Sequence, residues 1–125
     1  MVPVRSRLRW GPERGPDETM NQICELNWHL TPFRAQEWID LWFPAAELAG
    51  EYGALDWWIY RSIDDPLLFR QVSIWKRKED FQDYWFSDEI SAIRTEIITF
   101  YDKPLLPSWN TPVAGSFARR AADSA

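Results

Sequence analysis

Two consecutive strand-like segments carry large apolar side chains on both of their faces, and this restricts the fold more than any other feature of the sequence. In Ala54–Arg61, the residues Leu55, Trp57 and Ile59 alternate with Trp58 and Tyr60; over residues 67–75, Leu68, Val72 and Ile74 stand against Leu67, Phe69 and Trp75. Side chains in a strand alternate between two faces, so a sheet built from these segments must be covered on both sides. The intervening Ser62-Ile63-Asp64-Asp65-Pro66 is a run of turn formers, and the pair reads as a hairpin.

The flanking segments supply one cover. Residues 23–30 read as a first strand, with Cys24, Leu26, Trp28 and Leu30 on one face and Glu25, Asn27 and His29 on the other. Thr31-Pro32 has the composition of a helix start, Thr as N-cap and Pro at the first helical position. Apolar residues at Phe33, Trp38, Leu41, Trp42, Ala45, Leu48 and Tyr52 then keep helical spacing. Pro44 should kink or restart this helix, and Gly50 and Gly53 should stop it. Residues 79–101 read as helix, broken at Ser87, where Ser-Asp-Glu makes a fresh N-cap with acids in its first turn. Residues 104–113 read as a last strand, which Pro107 and Pro112 confine to an edge. The resulting order, β-α-β-β-α-β, is the split βαβ arrangement of ferredoxin-like α+β domains. Two helices roof one sheet face only, so a second copy of the chain is the simplest cover for the other.

Composition narrows the partners. At 125 residues the chain is expected to form one domain over residues 20–113, with a disordered tail at 1–19 and a flexible tail at 114–125; translation starting at Met20 rather than Met1 would suit that boundary. The net charge of −5 is concentrated in residues 20–113, where 15 Asp and Glu face 8 Lys and Arg; this excludes the basic stripe that nucleic-acid binding needs. A single cysteine, Cys24, excludes an internal disulfide, and one histidine excludes a standard zinc site. Asp56, Asp64 and Asp65 show no calcium-loop spacing. With no apolar run long enough to span a bilayer and no secretory leader, the expected location is the cytoplasm. Nine tryptophans imply an aromatic core or an aromatic-lined pocket.

With this order in hand, the sequence resembles the antibiotic biosynthesis monooxygenase-like family of dimeric α/β-barrel proteins, over about residues 20–113. Three stretches carry the resemblance: Ile23-Cys24-Glu25-Leu26-Asn27 in the first strand, Val72-Ser73-Ile74-Trp75 before a charged turn, and Glu79-Asp80-Phe81-Gln82-Asp83-Tyr84-Trp85 opening the second helix. The resemblance implies a homodimer whose two sheets close a barrel, with ligands between each sheet and its helices. Haem-degrading members use a strand Asn, a helix Trp and an iron-ligating His; here Asn27 falls at the first position and Tyr84, beside Trp85, at the second. Ile93 stands where the His is expected, which argues against haem degradation.

The cofactor-free oxygenases of the family are the other comparison. They imply monooxygenation of an aromatic or polycyclic small molecule with no bound cofactor. Asn27 would hold the substrate oxygen, and His29, two residues on along the same strand face, would accept its proton, being a group that titrates near neutrality. Glu25 shares that face and would be an alternative base if buried. Trp58, Trp75, Tyr84 and Trp85 would form apolar walls. Arg94 would meet an acidic ligand, or else pair with Glu89 or Glu96 on its own helix. A non-catalytic carrier of an aromatic or haem-like molecule, or a structural dimer, is the rival reading on the same scaffold.

Overall fold

A computed structural model describes residues 21–115. The start at Met1 or Met20, the tail 1–19 and the tail 114–125 apart from Ala114 and Gly115 lie outside the described residues. The elements are β1 (Gln22–His29), α1 (Ala35–Glu47), β2 (Ala54–Arg61), β3 (Leu68–Trp75), α2 (Lys78–Trp85), α3 (Asp88–Glu96) and β4 (Ser108–Asn110), with 3₁₀ turns at Leu48–Tyr52 and Ile98–Phe100. The four strands form one antiparallel sheet in the order β2-β3-β1-β4. This is the α+β, ferredoxin-like β-α-β-β-α-β arrangement expected.

β1 sets which face receives the helices. Cys24, Leu26 and Trp28 are buried while Glu25 and Asn27 are exposed. Cross-strand neighbours share a face, so the register of Leu26 with Gln71 and Trp28 with Phe69 puts Gln71, Phe69, Ser73 and Trp75 on the same side. Trp38, Trp42, Ala45 and Ala46 of α1 and Phe81, Tyr84 and Trp85 of α2 complete the core there. Trp28, Trp38, Trp42 and Trp75 are each fully buried, which contributes roughly 4–6 kcal/mol apiece in area terms before entropy is set against it. The rings pack at short range: Trp28 to Trp42 is 4.9 Å between centroids, Trp38 to Phe69 4.8 Å, and Phe81 to Trp85 5.4 Å.

Two polar devices tie this layer together. Gln71 is 3% exposed, and its Oε1 accepts from Trp28 Nε1 at 3.0 Å and from Trp42 Nε1 at 2.9 Å. Trp75 Nε1 donates to Ser73 Oγ at 2.7 Å. A single buried amide thus joins β1, β3 and α1.

Several elements differ from the sequence reading. The first helix starts at Ala35 with Arg34 as N-cap, because Phe33 has φ 68, a left-handed conformation that interrupts a helix. Thr31, expected as the cap, instead donates its hydroxyl to the Phe100 carbonyl at 3.3 Å. α1 runs through Pro44 and tightens into the 3₁₀ turn, which Gly53 ends at φ 113. Ser87 does cap α3, its side chain accepting from the Ile90 amide. The last strand is only Ser108–Asn110, paired with β1. No helix among the described residues is long and apolar enough to cross a membrane.

The face without helices is divided. On it lie Asp56, Trp58 and Tyr60 of β2, Leu68, Arg70, Val72 and Ile74 of β3, and Glu25, Asn27 and His29 of β1. The half formed by β2 and β3 is largely apolar, with Trp58 42% and Tyr60 45% exposed. The half formed by β1 is polar.

Candidate aromatic cleft between the second helix and the edge strand

Strand alternation decides where the expected site residues go. Because Cys24, Leu26 and Trp28 take the helix side, Asn27 and His29 project from the opposite face, Asn27 exposed and His29 half-buried. The expectation of Asn27 and His29 on the wall of a pocket between sheet and helices is therefore corrected: that space is occupied by Trp28, Trp38 and Trp42. Glu25 is exposed beside Asn27's face, and Trp58 projects from that face as well.

The other aromatic candidates lie on the helix side. Trp75 is fully buried, and Tyr84, 1% exposed, donates its hydroxyl to the Ala45 carbonyl at 2.8 Å. Both therefore have their polar atoms satisfied inside the protein, and burial holds the Tyr84 phenol above its ordinary range. Trp85 is also buried, 4% exposed, and borders an open cleft of about 280 Å³ lined by Lys78, Phe81, Gln82, Trp85, Phe86, Pro107 and Trp109.

The cleft follows from two local patterns. Lys78, Phe81, Gln82, Trp85 and Phe86 fall at helical positions i, i+3, i+4, i+7 and i+8, a single stripe along α2. Trp109 lies on the edge strand with Pro107 just ahead of it, and the pairing of Trp109 with Cys24 turns Trp109 to the helix side. Phe81 meets Trp109 edge-on at 5.3 Å and stacks on Trp85 with an interplanar angle of 20°. Lys78, Gln82, Phe86, Pro107 and Trp109 are not among the site residues expected from sequence, although the helical spacing of the first three with Phe81 and Trp85 is visible there.

Cations stand at both ends of this ring system. The Lys78 ammonium sits 5.5 Å from the Trp109 centroid. The Arg94 guanidinium lies 4.2 Å over Trp85 and 5.9 Å from Phe86, distances within cation–π range. Arg94 makes no ion pair with Glu89 or Glu96, a correction to the local pairing considered from sequence; among the described residues the ion pairs are Arg34 with Glu37 and Arg77 with Asp80. One Arg94 amino group donates to the Trp85 carbonyl at 3.2 Å, while its Nε is buried without a hydrogen-bond partner. Burial pulls this guanidinium below its ordinary value, and the nearby Tyr101 acts in the opposite sense. No cluster of His, Cys, Asp and Glu able to hold a metal ion occurs among the described residues.

No protein-family model and no curated protein matches the sequence. Solved structures do match the fold. A conserved protein from Methanosarcina mazei Go1 superposes with a TM-score of 0.68 at 17% identity, covering 75% of this chain and 94% of its own. Two structures named "Putative antibiotic biosynthesis monooxygenase" behave alike. The one from Nitrosomonas europaea has a TM-score of 0.70 at 11% identity, with coverage of 78% and 95%; the one from Bordetella bronchiseptica has 0.67 at 16%, with 76% and 99%. The chain has the fold of the antibiotic biosynthesis monooxygenase-like proteins.

Proposed function

We propose that this chain is a cytoplasmic homodimer that binds an aromatic or polycyclic small molecule in the cleft between α2 and β4. The observation that carries this reading is the cleft itself, about 280 Å³ with four aromatic rings and a proline among its seven lining residues. A concave, mostly apolar site with a few polar groups is what a small-molecule pocket requires. Dimerisation through the helix-free face is supported by the exposed Trp58 and Tyr60, large apolar side chains that a second copy would cover. The buried free thiol of Cys24 suits a reducing compartment.

Oxidation of an aromatic molecule held between the two sheets of the dimer rather than in the cleft, with oxygen and no resident cofactor, is the second reading, favoured by the fold likeness to structures carrying the monooxygenase name. Asn27 as the orienting group and His29 as the proton acceptor both lie on the face that the dimer would enclose, so in this reading the reacting atoms sit between the two sheets. Aerobic incubation of the pure protein with anthrones, quinols and haem separates the readings. Carrier function gives a spectral shift without oxygen uptake, abolished by Trp85→Ala. Catalysis gives oxygen uptake that falls about a hundredfold in His29→Ala. Neither shift nor uptake, with sedimentation as a single subunit at micromolar concentration, defeats both readings.

A further inference from the structure

We propose that the cleft selects an anionic aromatic ligand, an aromatic carboxylate, with Lys78 as the group that meets its charge. This rests on the reading of the cleft as a binding site and adds the ligand's charge to it. Residues 20–113 carry nearly twice as many acids as bases, yet the seven lining residues include one cation and no carboxylate. The acids of α2 are directed elsewhere: Asp80 pairs with Arg77, and Glu79 and Asp83 fall outside the lining stripe. Lys78 has no ion pair among the described residues, so its charge is not already neutralised.

The ring walls point the same way. Lys78 lies against Trp109, and Arg94 against Trp85 and Phe86, so a cation draws on the π-face of three of the four aromatic residues lining the cleft. A negatively charged ring system is held better beside such walls than a cationic one, which would meet like charge from both Lys78 and Arg94. Arg94 does not line the cleft; it supports the Trp85 wall and keeps an unfilled Nε donor behind it. Its part is that of a positioning residue.

The test compares three probes of one size: 2-naphthoate, neutral 2-naphthylmethanol and cationic 2-naphthylmethylammonium, each titrated calorimetrically into the full-length protein and into Lys78→Gln. The expected order is naphthoate tightest, by about tenfold over the alcohol, as a charge-assisted contact gives, with the ammonium weakest. Raising the salt from 50 to 500 mM should shrink the preference, because the cleft is open to solvent. Lys78→Gln should erase the preference while leaving naphthylmethanol affinity within about twofold, which shows the cleft still formed. Equal binding of naphthoate and alcohol by the parent protein, or a preference that survives Lys78→Gln, overturns the charge assignment and leaves the cleft standing. Absence of binding by all three probes overturns the cleft reading itself and this inference with it.

Discussion

Replacing Gln71 by Met removes one acceptor and strands two donors. The side chains have similar volume, so packing changes little, but Trp28 Nε1 and Trp42 Nε1 both lose the oxygen that receives them at 3.0 and 2.9 Å. Each buried N–H left without a partner costs about 1–3 kcal/mol, which makes the expected loss about 2–6 kcal/mol out of the 5–15 typical of a domain. Even the low end lowers the melting temperature by about 8–16 °C for a domain of this size. The assay is urea unfolding followed by far-ultraviolet circular dichroism at one fixed protein concentration, extrapolated linearly to water. Repeating it on Trp28→Phe/Trp42→Phe, with and without Gln71→Met, closes a cycle that isolates the coupling. With the indole donors gone, Gln71→Met should cost at least about 2 kcal/mol less than in the parent. A cost below about 0.5 kcal/mol in the parent, or the same cost in both backgrounds, refutes the role given to this amide.

Two further outcomes follow from the structure. Burial pushes the Cys24 thiol from 9.0 up to about 12, with the Ser73 hydroxyl acting against it; between those limits the unfolded chain has released this proton and the native one retains it, so stability falls as pH rises. Its full contribution is present below pH 9, and unfolding free energies from urea titrations should drop between pH 8 and 10 by about 1 kcal/mol more in the parent than in Cys24→Ala. Ser87→Ala removes the oxygen that accepts from the Ile90 amide and the hydroxyl that donates to the Tyr84 carbonyl at 2.7 Å, for an expected loss of about 1 kcal/mol that Ser87→Asp should recover only in part, since a carboxylate accepts from the amide but cannot donate to the carbonyl.

The element order was legible because it depends on periodicity. Alternation marked β2 and β3, the Ser-Asp-Glu signature marked the break at Ser87, and prolines marked the last strand as peripheral. What escaped depends on contacts between distant residues. The alternating pattern of β1 separates Cys24, Leu26 and Trp28 from Asn27 and His29, but it carries no statement of which set meets the helices; the ring volume of Trp28, Trp38 and Trp42 settles that. Thr31-Pro32 has the local chemistry of a helix start, and the backbone conformation of Phe33 overrides it. Gln71, one of three polar residues in β3 with Arg70 and Ser73, gave no hint that two indoles on other elements would share its oxygen. Arg94 sits two residues from Glu96 and five from Glu89, yet the Trp85 face, nine positions away, holds it.

One wall of the cleft is less securely held than the rest. Trp109 rides on a strand of three residues that pairs with β1 alone, whereas β1 and β3 share eight paired positions. Local opening free energy tracks such differences, so the amides near Trp109 should exchange with deuterium well before those of β1 and β3. Occupancy of the cleft would then slow that exchange, and the width available to a ligand becomes a property of how tightly this short edge is zipped.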